Sequence, residues 1–339
     1  MRQITRLQAA LRLHLPWHGA RLNFLAAFLI ALLRVKTVNF AELATAFDGK
    51  AQIDSHTKRL HRFFRSYKLN TAQIAQTVVA LMNIPQPWVL SLDRTEWQFG
   101  CCVFNILMLG VVHQGVAFPV AWCVLDKRGA SSVDERVELF NEFLARFGNR
   151  SVACLTADRE FMGKDWFEYL LGEPTTPFRV RIRESEVLDN GQRRFTVKVV
   201  FQDLQVGQTK VLRHPRWLWG HKLYSAAVRL EDHSLLVVAT QSNPQSAISD
   251  YAKRWSIETL FGIFKTRGFC LESTHLTDAE RLSKLLALLS LALCWAMLTG
   301  EWLNHIKGRV LDLWKCGRMQ QVSFVNLQHG IRACSLSDL

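Results

Sequence analysis

Hydrophobic positions in the first quarter of the chain recur every three or four residues, as in amphipathic helices. The clearest examples are NFAELATAF (39–47) and SHTKRLHRFFRSY (55–67), which are separated by a break at Asp48-Gly49. This pattern predicts two helices joined by a turn. A longer apolar run at 22–33 predicts a buried helix before them.

The pattern then changes to short apolar runs that are typical of buried strands. A helical segment at 132–148 separates the third run from the fourth. Three strands, a helix and a fourth strand predict an α/β domain. The strand-like runs are PWVLSLD (87–93), FNILMLGVV (104–112), VAFPVAWCVLD (116–126) and SVACLTAD (151–158).

After this domain, residues 178–241 again show short apolar runs that are typical of strands, with no clear helical pattern. This predicts a β-rich insertion. Helical periodicity resumes after Asn243-Pro244, runs to Gly268, and reappears around 278–303 and 320–332. The predicted parts of the chain are a helical region (1–84), the first part of the α/β domain (85–177), the β-rich insertion (178–243), the second part of the α/β domain (244–303) and a helical C-terminal tail (304–339).

Positive charge is concentrated in the first helical region. The chain has a formal charge of +13, and residues 1–84 hold eight arginines and four lysines against three acidic residues. On the second predicted helix Lys58, Arg62 and Arg65 lie within about 60° of one another, opposite an apolar side. A solvated helix face is the ordinary explanation of such a charge run. The overall surplus favours nucleic acid as the partner, with an acidic membrane surface or a merely basic enzyme as alternatives.

Cysteine spacing and hydropathy exclude several other classes. The eight cysteines form no C-x-x-C pair and no Cys/His cluster with zinc spacing, so we expect free thiols in a reducing cytoplasm. We expect no signal peptide at the N-terminus. The apolar run at 285–299 is shorter than the roughly 20 residues of a membrane-spanning helix, so no membrane contact is expected.

Two aspartates each follow a strongly apolar run, Asp93 in VLSLDRTEW and Asp158 in ACLTADREF. Both are therefore expected at strand ends, where open α/β sheets bind ligands. Either aspartate alone is more often a cap or turn residue. Glu96 and Glu160 lie close by in sequence and show how easily an acidic residue is selected wrongly.

A third acidic residue belongs to the segment YAKRWSIETLFGIFK (251–265). Tyr251, Arg254, Glu258 and Lys265 follow one another at offsets of three, four and seven, which on one helix places them within an arc of about 60°. Ordinary i,i+4 stabilisation explains Arg254 and Glu258. It does not explain the tyrosine and the lysine on the same stripe.

Three carboxylates that converge from two strand ends and a helix would suit two divalent cations such as Mg²⁺, which prefers oxygen ligands. Such ions promote in-line displacement at a phosphodiester. Arg254, Lys265 and the Tyr251 hydroxyl would then hold the phosphate. The sequence thus favours metal-dependent phosphodiester chemistry.

The spacing Y-x2-R-x3-E-x6-K resembles the signature of DDE transposases of the insertion-sequence-four family. SLDRTEW and LTADREF resemble the first and second acidic motifs of that family, in the same order. The resemblance covers roughly residues 40–300. It implies a ribonuclease H-like catalytic domain that is interrupted by a β-rich insertion and preceded by a helical DNA-binding domain.

Such enzymes cut at the ends of a mobile element and join the freed 3′ hydroxyls to target DNA, in the bacterial cytoplasm at the nucleoid. The resemblance implies two Mg²⁺ or Mn²⁺ ions, a homodimer in the DNA complex, and double-stranded DNA partners, namely the terminal inverted repeats and the target. A structure-specific nuclease of the same fold and an inactive DNA-binding regulator are the alternatives. The expected site residues are the catalytic and metal-binding Asp93, Asp158 and Glu258, the phosphate-binding Tyr251, Arg254 and Lys265, the DNA end-binding Lys58, Arg62 and Arg65, and the base-stacking candidates Trp255, Trp217 and Trp219. Trp255 matches a family tryptophan, whereas hydrophobic packing is the alternative for the other two.

Overall fold

The computed structural model describes residues 2–99 and 102–306. The predicted helix at 320–332, and the predicted tail from residue 307 onward, lie outside the described residues. The helices that precede the first strand are α1 (Arg2–Arg12), α2 (Gly19–Val35), α3 (Phe40–Thr45), α4 (Ile53–Ser66) and α5 (Thr71–Met82). The Asn39 side chain accepts the backbone N–H of Ala41 at 2.9 Å and caps α3.

The architecture is mixed α/β and is built on one large mixed sheet. Its strands are β1 (Trp88–Phe99), β2 (Cys102–His113), β3 (Val116–Leu125), β4 (Val152–Ala157), β5 (Phe178–Ile182), β6 (Val187–Asp189), β7 (Arg194–Thr196), β8 (Thr209–Val211), β9 (Arg216–Leu218), β10 (His221–Arg229) and β11 (Leu235–Thr240). The strand order is β3-β2-β1-β4-β5-β11-β10-β9-β6-β7, with β8 beside β10. Strands β1, β2 and β3 are antiparallel, while β4 runs parallel to β1 and β5 parallel to β4.

The remaining helices alternate with these strands. They are α6 (Val133–Phe147), α7 (Lys164–Leu171), α8 (Val197–Val200), α9 (Ala247–Ala252), α10 (Trp255–Gly262) and α11 (Ala279–Ile306). Helix α6 begins with a capping box, in which Ser132 and Glu135 satisfy each other's backbone N–H groups. The expected β-rich insertion (178–243) contains strands β5 to β11 and the single helical turn of α8.

The central strands are almost continuously apolar because helices cover both faces of the sheet. Strand β2 is buried over eight successive residues, and β3 packs against α5, α6, α10 and α11. Helices α2, α4 and α5 pack on α11, so the basic helical region and the sheet share one buried core. The division of the chain into five parts stays a prediction.

Helix α11 supplies the longest apolar segment of the described residues. Its stretch Ala279–Glu301 is long and apolar enough to span a membrane by length and composition, but 78% of that window is buried inside the fold. The segment therefore packs as a core helix, as does the apolar run in α2.

The predicted continuous helix from 244 to 268 is wrong. A 3₁₀ turn (Pro244–Ser246) precedes α9, a break separates α9 from α10, and a π-helical turn (Ile263–Arg267) follows. At the break, the N–H groups of Lys253 and Arg254 bond to carbonyls three residues back, which tightens the chain. Gly268 permits the π turn, because a Cβ there would lie 2.8 Å from the Ile263 carbonyl oxygen.

Candidate active site

The first two acidic residues lie beside each other on the central strands of the sheet. Parallel pairing of β1 and β4 ends at Leu92 and Ala157, and the next residue on each strand is Asp93 or Asp158. Asp158 ends its strand as expected. Asp93 does not, because β1 continues to Phe99 through pairing with β2 alone. Asp93 nevertheless lies one residue beyond the last residue of β1 that pairs with β4, so no residue of β4 pairs with it.

Arg254, at the break between α9 and α10, connects the first acidic residue with the third. Its Nη1 donates to Asp93 Oδ2 at 2.9 Å, and its Nη2 donates to Glu258 Oε1. The guanidinium side chain is only 8% exposed. The Ser91 hydroxyl donates to the Arg254 carbonyl, which fixes this break against β1.

Tyr251 and Arg181 engage the second acidic residue. The Tyr251 hydroxyl donates to Asp158 Oδ1 at 3.1 Å, and Arg181 Nη1 lies 3.7 Å from the same oxygen. The Arg254 guanidinium lies 5.7 Å from the centre of the Tyr251 ring. Asp93, Asp158 and Glu258 thus belong to one set of contacts that Tyr251 and Arg254 join, as α9 and α10 lie over the ends of β1 and β4.

Burial controls the protonation of this site. It raises the pKa of Asp93 to about 7, against the opposing effect of Arg254 and the Arg94 N–H, and the charges of Glu160 and Asp158 add to the rise. Burial likewise raises the pKa of Tyr251 to about 12, so the phenol stays a hydrogen-bond donor. Burial lowers the pKa of Arg254, but Tyr251, Asp93 and Glu258 together raise it above its ordinary value, so the guanidinium stays charged.

Lys265 lies apart from the carboxylates. Its Nζ donates to the backbone carbonyl of Glu96 at 2.6 Å, three residues beyond Asp93 on β1. Burial lowers the pKa of this half-buried lysine. The structure therefore places Lys265 along the same strand as Asp93, at the rim of the acidic cluster.

The three tryptophan candidates differ in exposure. Trp255 is 48% exposed and directly follows Arg254, and Trp217 is 43% exposed on β9 with Lys222 Nζ 5.1 Å above its ring. Trp219 is half-buried and packs edge-on against Phe167 at 5.3 Å. The first two present a ring face or edge to solvent, and base stacking stays a prediction for all three.

The predicted basic face of the second helix is present on α4. Lys58, Arg62 and Arg65 are exposed, whereas the apolar side chains of the opposite face pack into the core. No part of this arrangement identifies a ligand, so DNA contact by this face stays a prediction.

Sequence reasoning missed several charged residues around the carboxylates. Arg94 and Glu160, which form an ion pair, stand inside the two acidic motifs and were passed over as incidental. Arg181 belongs to FRVRIRE, where the alternation marks a strand but does not show which arginine reaches Asp158. Only the pairing of β4 with β5 brings Arg181 to the site.

The donor chemistry of the site suits a divalent cation. In the chain described here, residues 2–99 and 102–306, no three His, Cys, Asp or Glu side chains are grouped closely enough to chelate a metal ion as they stand. Asp93 and Glu258 instead share the Arg254 guanidinium. The three carboxylates nevertheless offer only oxygen donors, as Mg²⁺ and Mn²⁺ prefer.

Comparison with known proteins identifies a family for part of the chain. Residues 131–295 match the family model described as "Transposase DDE domain", so the chain contains such a domain over this range. The match includes Asp158 and Glu258 and begins after Asp93. No curated protein matches the sequence. Among solved structures, the chain is similar to the one described as "Cryo-EM structure of piggyBac transposase synaptic complex with hairpin DNA (SNHP)", with 12% identity, a TM-score of 0.48, and coverage of 100% of this chain and 80% of that chain.

Proposed function

We propose that this protein is a transposase that cuts DNA at the ends of an insertion element and joins the freed ends to target DNA. The observation that supports this most directly is the convergence of Asp93, Asp158 and Glu258 through Arg254 and Tyr251. These residues come from distant parts of the sequence. The Transposase DDE domain match over residues 131–295 gives independent support.

The strand order supports assignment of the catalytic core to the ribonuclease H-like class. Three antiparallel strands β3-β2-β1 continue into the parallel strands β4 and β5, and the acidic residues lie at the β1–β4 junction. The β-rich insertion (178–243) then begins with β5, which pairs with β4, and ends before α9. In this assignment 85–177 and 244–303 form the catalytic core, and 1–84 form the DNA-binding region.

Asp93, Asp158 and Glu258 would hold two Mg²⁺ or Mn²⁺ ions in the DNA complex. Bound divalent ions supply charge that activates an attacking hydroxyl and stabilises a leaving oxygen at phosphorus. In the first reaction a water oxygen bonds to phosphorus and the element's 3′ oxygen leaves. In the second the freed 3′ hydroxyl bonds to a target phosphorus and the target's 3′ oxygen leaves.

The side chains around the carboxylates would position the DNA strand. Arg254 remains charged and carries several N–H donors, so its guanidinium can bond a phosphate once divalent charge compensates Asp93 and Glu258. The Tyr251 hydroxyl remains a neutral donor. Lys265 would contact the strand farther along β1, at the rim of the site.

The DNA would extend from this site over two further surfaces. The basic face of α4 would bind the terminal inverted repeats, and the exposed rings of Trp255 and Trp217 would stack on unpaired bases. Two protomers would act together on two ends, in a cytoplasmic, nucleoid-associated complex without membrane contact.

A cleavage assay tests the assignment. Purified protein is incubated with Mg²⁺ and labelled DNA that carries the sequences flanking the gene on both sides. We expect Asp93→Asn, Asp158→Asn and Glu258→Gln each to reduce cleavage to background while DNA affinity changes little. Asp126→Asn, at an exposed position, is the matched control.

The products separate the alternatives. Joined target DNA supports a transposase, cleavage without joining supports a structure-specific nuclease, and binding without cleavage by the unmodified protein supports an inactive regulator. Near-normal cleavage by any one of the three carboxylate variants would remove that residue from the catalytic set.

A further inference from the structure

The backbone does not hold the first two acidic residues together. Hydrogen-bonded pairing of β1 with β4 ends at Leu92 and Ala157, one residue before Asp93 and Asp158. From that point β1 follows β2, while the chain after Asp158 turns into a 3₁₀ segment (Arg159–Phe161). Beyond Leu92 and Ala157 the connection between the two strand ends is therefore made by side chains.

Arg94 and Glu160 make that connection. Arg94 Nε donates to Glu160 Oε2 at 2.9 Å, and Arg94 Nη1 donates to Glu96 Oε1 at 3.0 Å. Because successive residues of a strand point to opposite faces, this pair lies on the face of the sheet opposite to the Asp93–Arg254 contact. The two strand ends are thus tied on one face by Arg254 and Tyr251 and on the other by Arg94 and Glu160.

Arg136 on α6 also contacts the 3₁₀ segment that follows Asp158. This buried arginine donates to the Glu160 carbonyl at 3.3 Å and to the Ser131 carbonyl at 2.7 Å, and its guanidinium lies 5.0 Å from the centre of the buried Phe161 ring. The turn that follows Asp158 is thereby fixed to a helix as well as to β1.

The Arg94–Glu160 pair uses one of the two carboxylate oxygens of Glu160. Glu160 Oε1 is buried without a hydrogen-bond partner among the described residues. A buried oxygen without a partner opposes folding unless a water molecule or another donor reaches it. The pair thus differs from a surface ion pair such as Lys210–Asp203, which is solvated.

We propose that Arg94 and Glu160 are positioning residues, whose ion pair fixes the separation of the Asp93 and Asp158 carboxylates for divalent cation binding. The inference rests on the proposed function for its catalytic consequence. Its consequence for cation binding can be measured in protein that is not cleaving DNA, so the two can fail separately.

Opposite charge changes distinguish positioning from a simple electrostatic effect. Glu160→Gln removes a negative charge and Arg94→Gln removes a positive one, and both break the Arg94–Glu160 ion pair, while Arg94→Gln also removes the contact with Glu96. If the pair acted only through the electrostatic effect of its charges, Glu160→Gln would weaken Mn²⁺ binding and Arg94→Gln would strengthen it. If the pair positions the aspartates, both variants weaken Mn²⁺ binding.

The experiment is a Mn²⁺ titration of the full-length, DNA-free protein, followed by calorimetry or electron paramagnetic resonance. We expect both variants to raise the Mn²⁺ dissociation constant by roughly fivefold or more, corresponding to about 1 kcal/mol. Asp203→Asn, which breaks the exposed pair, should leave it unchanged. Where the unmodified protein cleaves DNA, both variants should also raise the Mg²⁺ concentration that gives half-maximal rate, without a change in DNA affinity.

Two results would overturn the proposal. One is a shift of Mn²⁺ affinity in opposite directions for Arg94→Gln and Glu160→Gln, or no shift in either. The other is recovery of normal affinity at a lower temperature at which the variants are fully folded, because that result would show a purely structural role. If both variants weaken Mn²⁺ binding as expected but the unmodified protein never cleaves DNA, the positioning role stands and only the proposed catalysis is contradicted.

Discussion

Replacement of Asp93 by asparagine should stabilise the metal-free protein at neutral and alkaline pH. In the folded protein burial raises the pKa of Asp93 to about 7 from its ordinary value of 3.8. Between these two pH values the folded state binds a proton that the unfolded state has lost. Folding stability therefore falls as the pH rises from about 4 to 7, and asparagine, which does not ionise, escapes this loss.

The size of the effect follows from the pKa difference. At about 1.36 kcal/mol for each unit of pKa, the difference between 3.8 and about 7 corresponds to about 4 kcal/mol. This full difference applies above pH 7 and vanishes below pH 4, where aspartic acid and asparagine are both neutral. The Asp93 side chain is 15% exposed, so solvent screens little of it.

Urea unfolding of the two proteins in EDTA at pH 5, 6, 7 and 8 measures this difference. We expect the free energy of unfolding of Asp93→Asn to exceed that of the unmodified protein by an amount that grows with pH and levels off above pH 7. Asp126→Asn, at an exposed position, should show no such growth. A variant that is less stable at pH 8, or a difference that is equal at pH 5 and pH 8, would refute the conclusion that burial outweighs the ion pair with Arg254 at Asp93.

Two further predictions concern the basic face of α4 and the segment that carries Lys265. Replacing the three basic residues of α4 by alanine should weaken binding to element-end DNA, measured by fluorescence anisotropy. The slope of log K against log salt should fall by roughly 1 for each lost phosphate contact. An unchanged slope would exclude this face as a DNA-binding surface. Gly268→Ala should destabilise the protein by about 1–3 kcal/mol in urea unfolding, because its Cβ would lie 2.8 Å from the Ile263 carbonyl oxygen. Gly262→Ala is the control, since its Cβ would meet only the Arg267 side chain at 3.4 Å, and equal effects of the two substitutions would contradict this explanation.

Local sequence patterns predicted the elements that depend on local physics. Helix α6 was expected from Ser132 to Gly148, and the structure has it at Val133–Phe147 with Ser132 in a capping box. Apolar runs likewise located the central strands to within a few residues, except for the extension of β1 to Phe99. Periodicity and capping act within one or two turns, so they can be read without knowledge of the tertiary structure.

Features that depend on tertiary contacts could not be predicted in this way. The break before α10 is fixed by contacts of Arg254 with Asp93 and Ser91 on β1, which the helical periodicity of the segment does not report. The contact between Arg94 and Glu160 depends on where the β1–β4 pairing ends. Sequence motifs therefore selected the acidic residues, whereas the side chains that hold them in place became visible only in the fold.

Mn²⁺ binding in the presence of DNA shows whether Asp93, Asp158 and Glu258 form one cation-binding centre. The protein is saturated with a duplex carrying the gene-flanking sequence and a non-bridging phosphorothioate at the cleavage position, and Mn²⁺ binding is followed by electron paramagnetic resonance. We expect two bound ions per active site, and at least about tenfold weaker binding in each of Asp93→Asn, Asp158→Asn and Glu258→Gln. Mn²⁺ binding that is unchanged in any of the three variants would contradict this expectation.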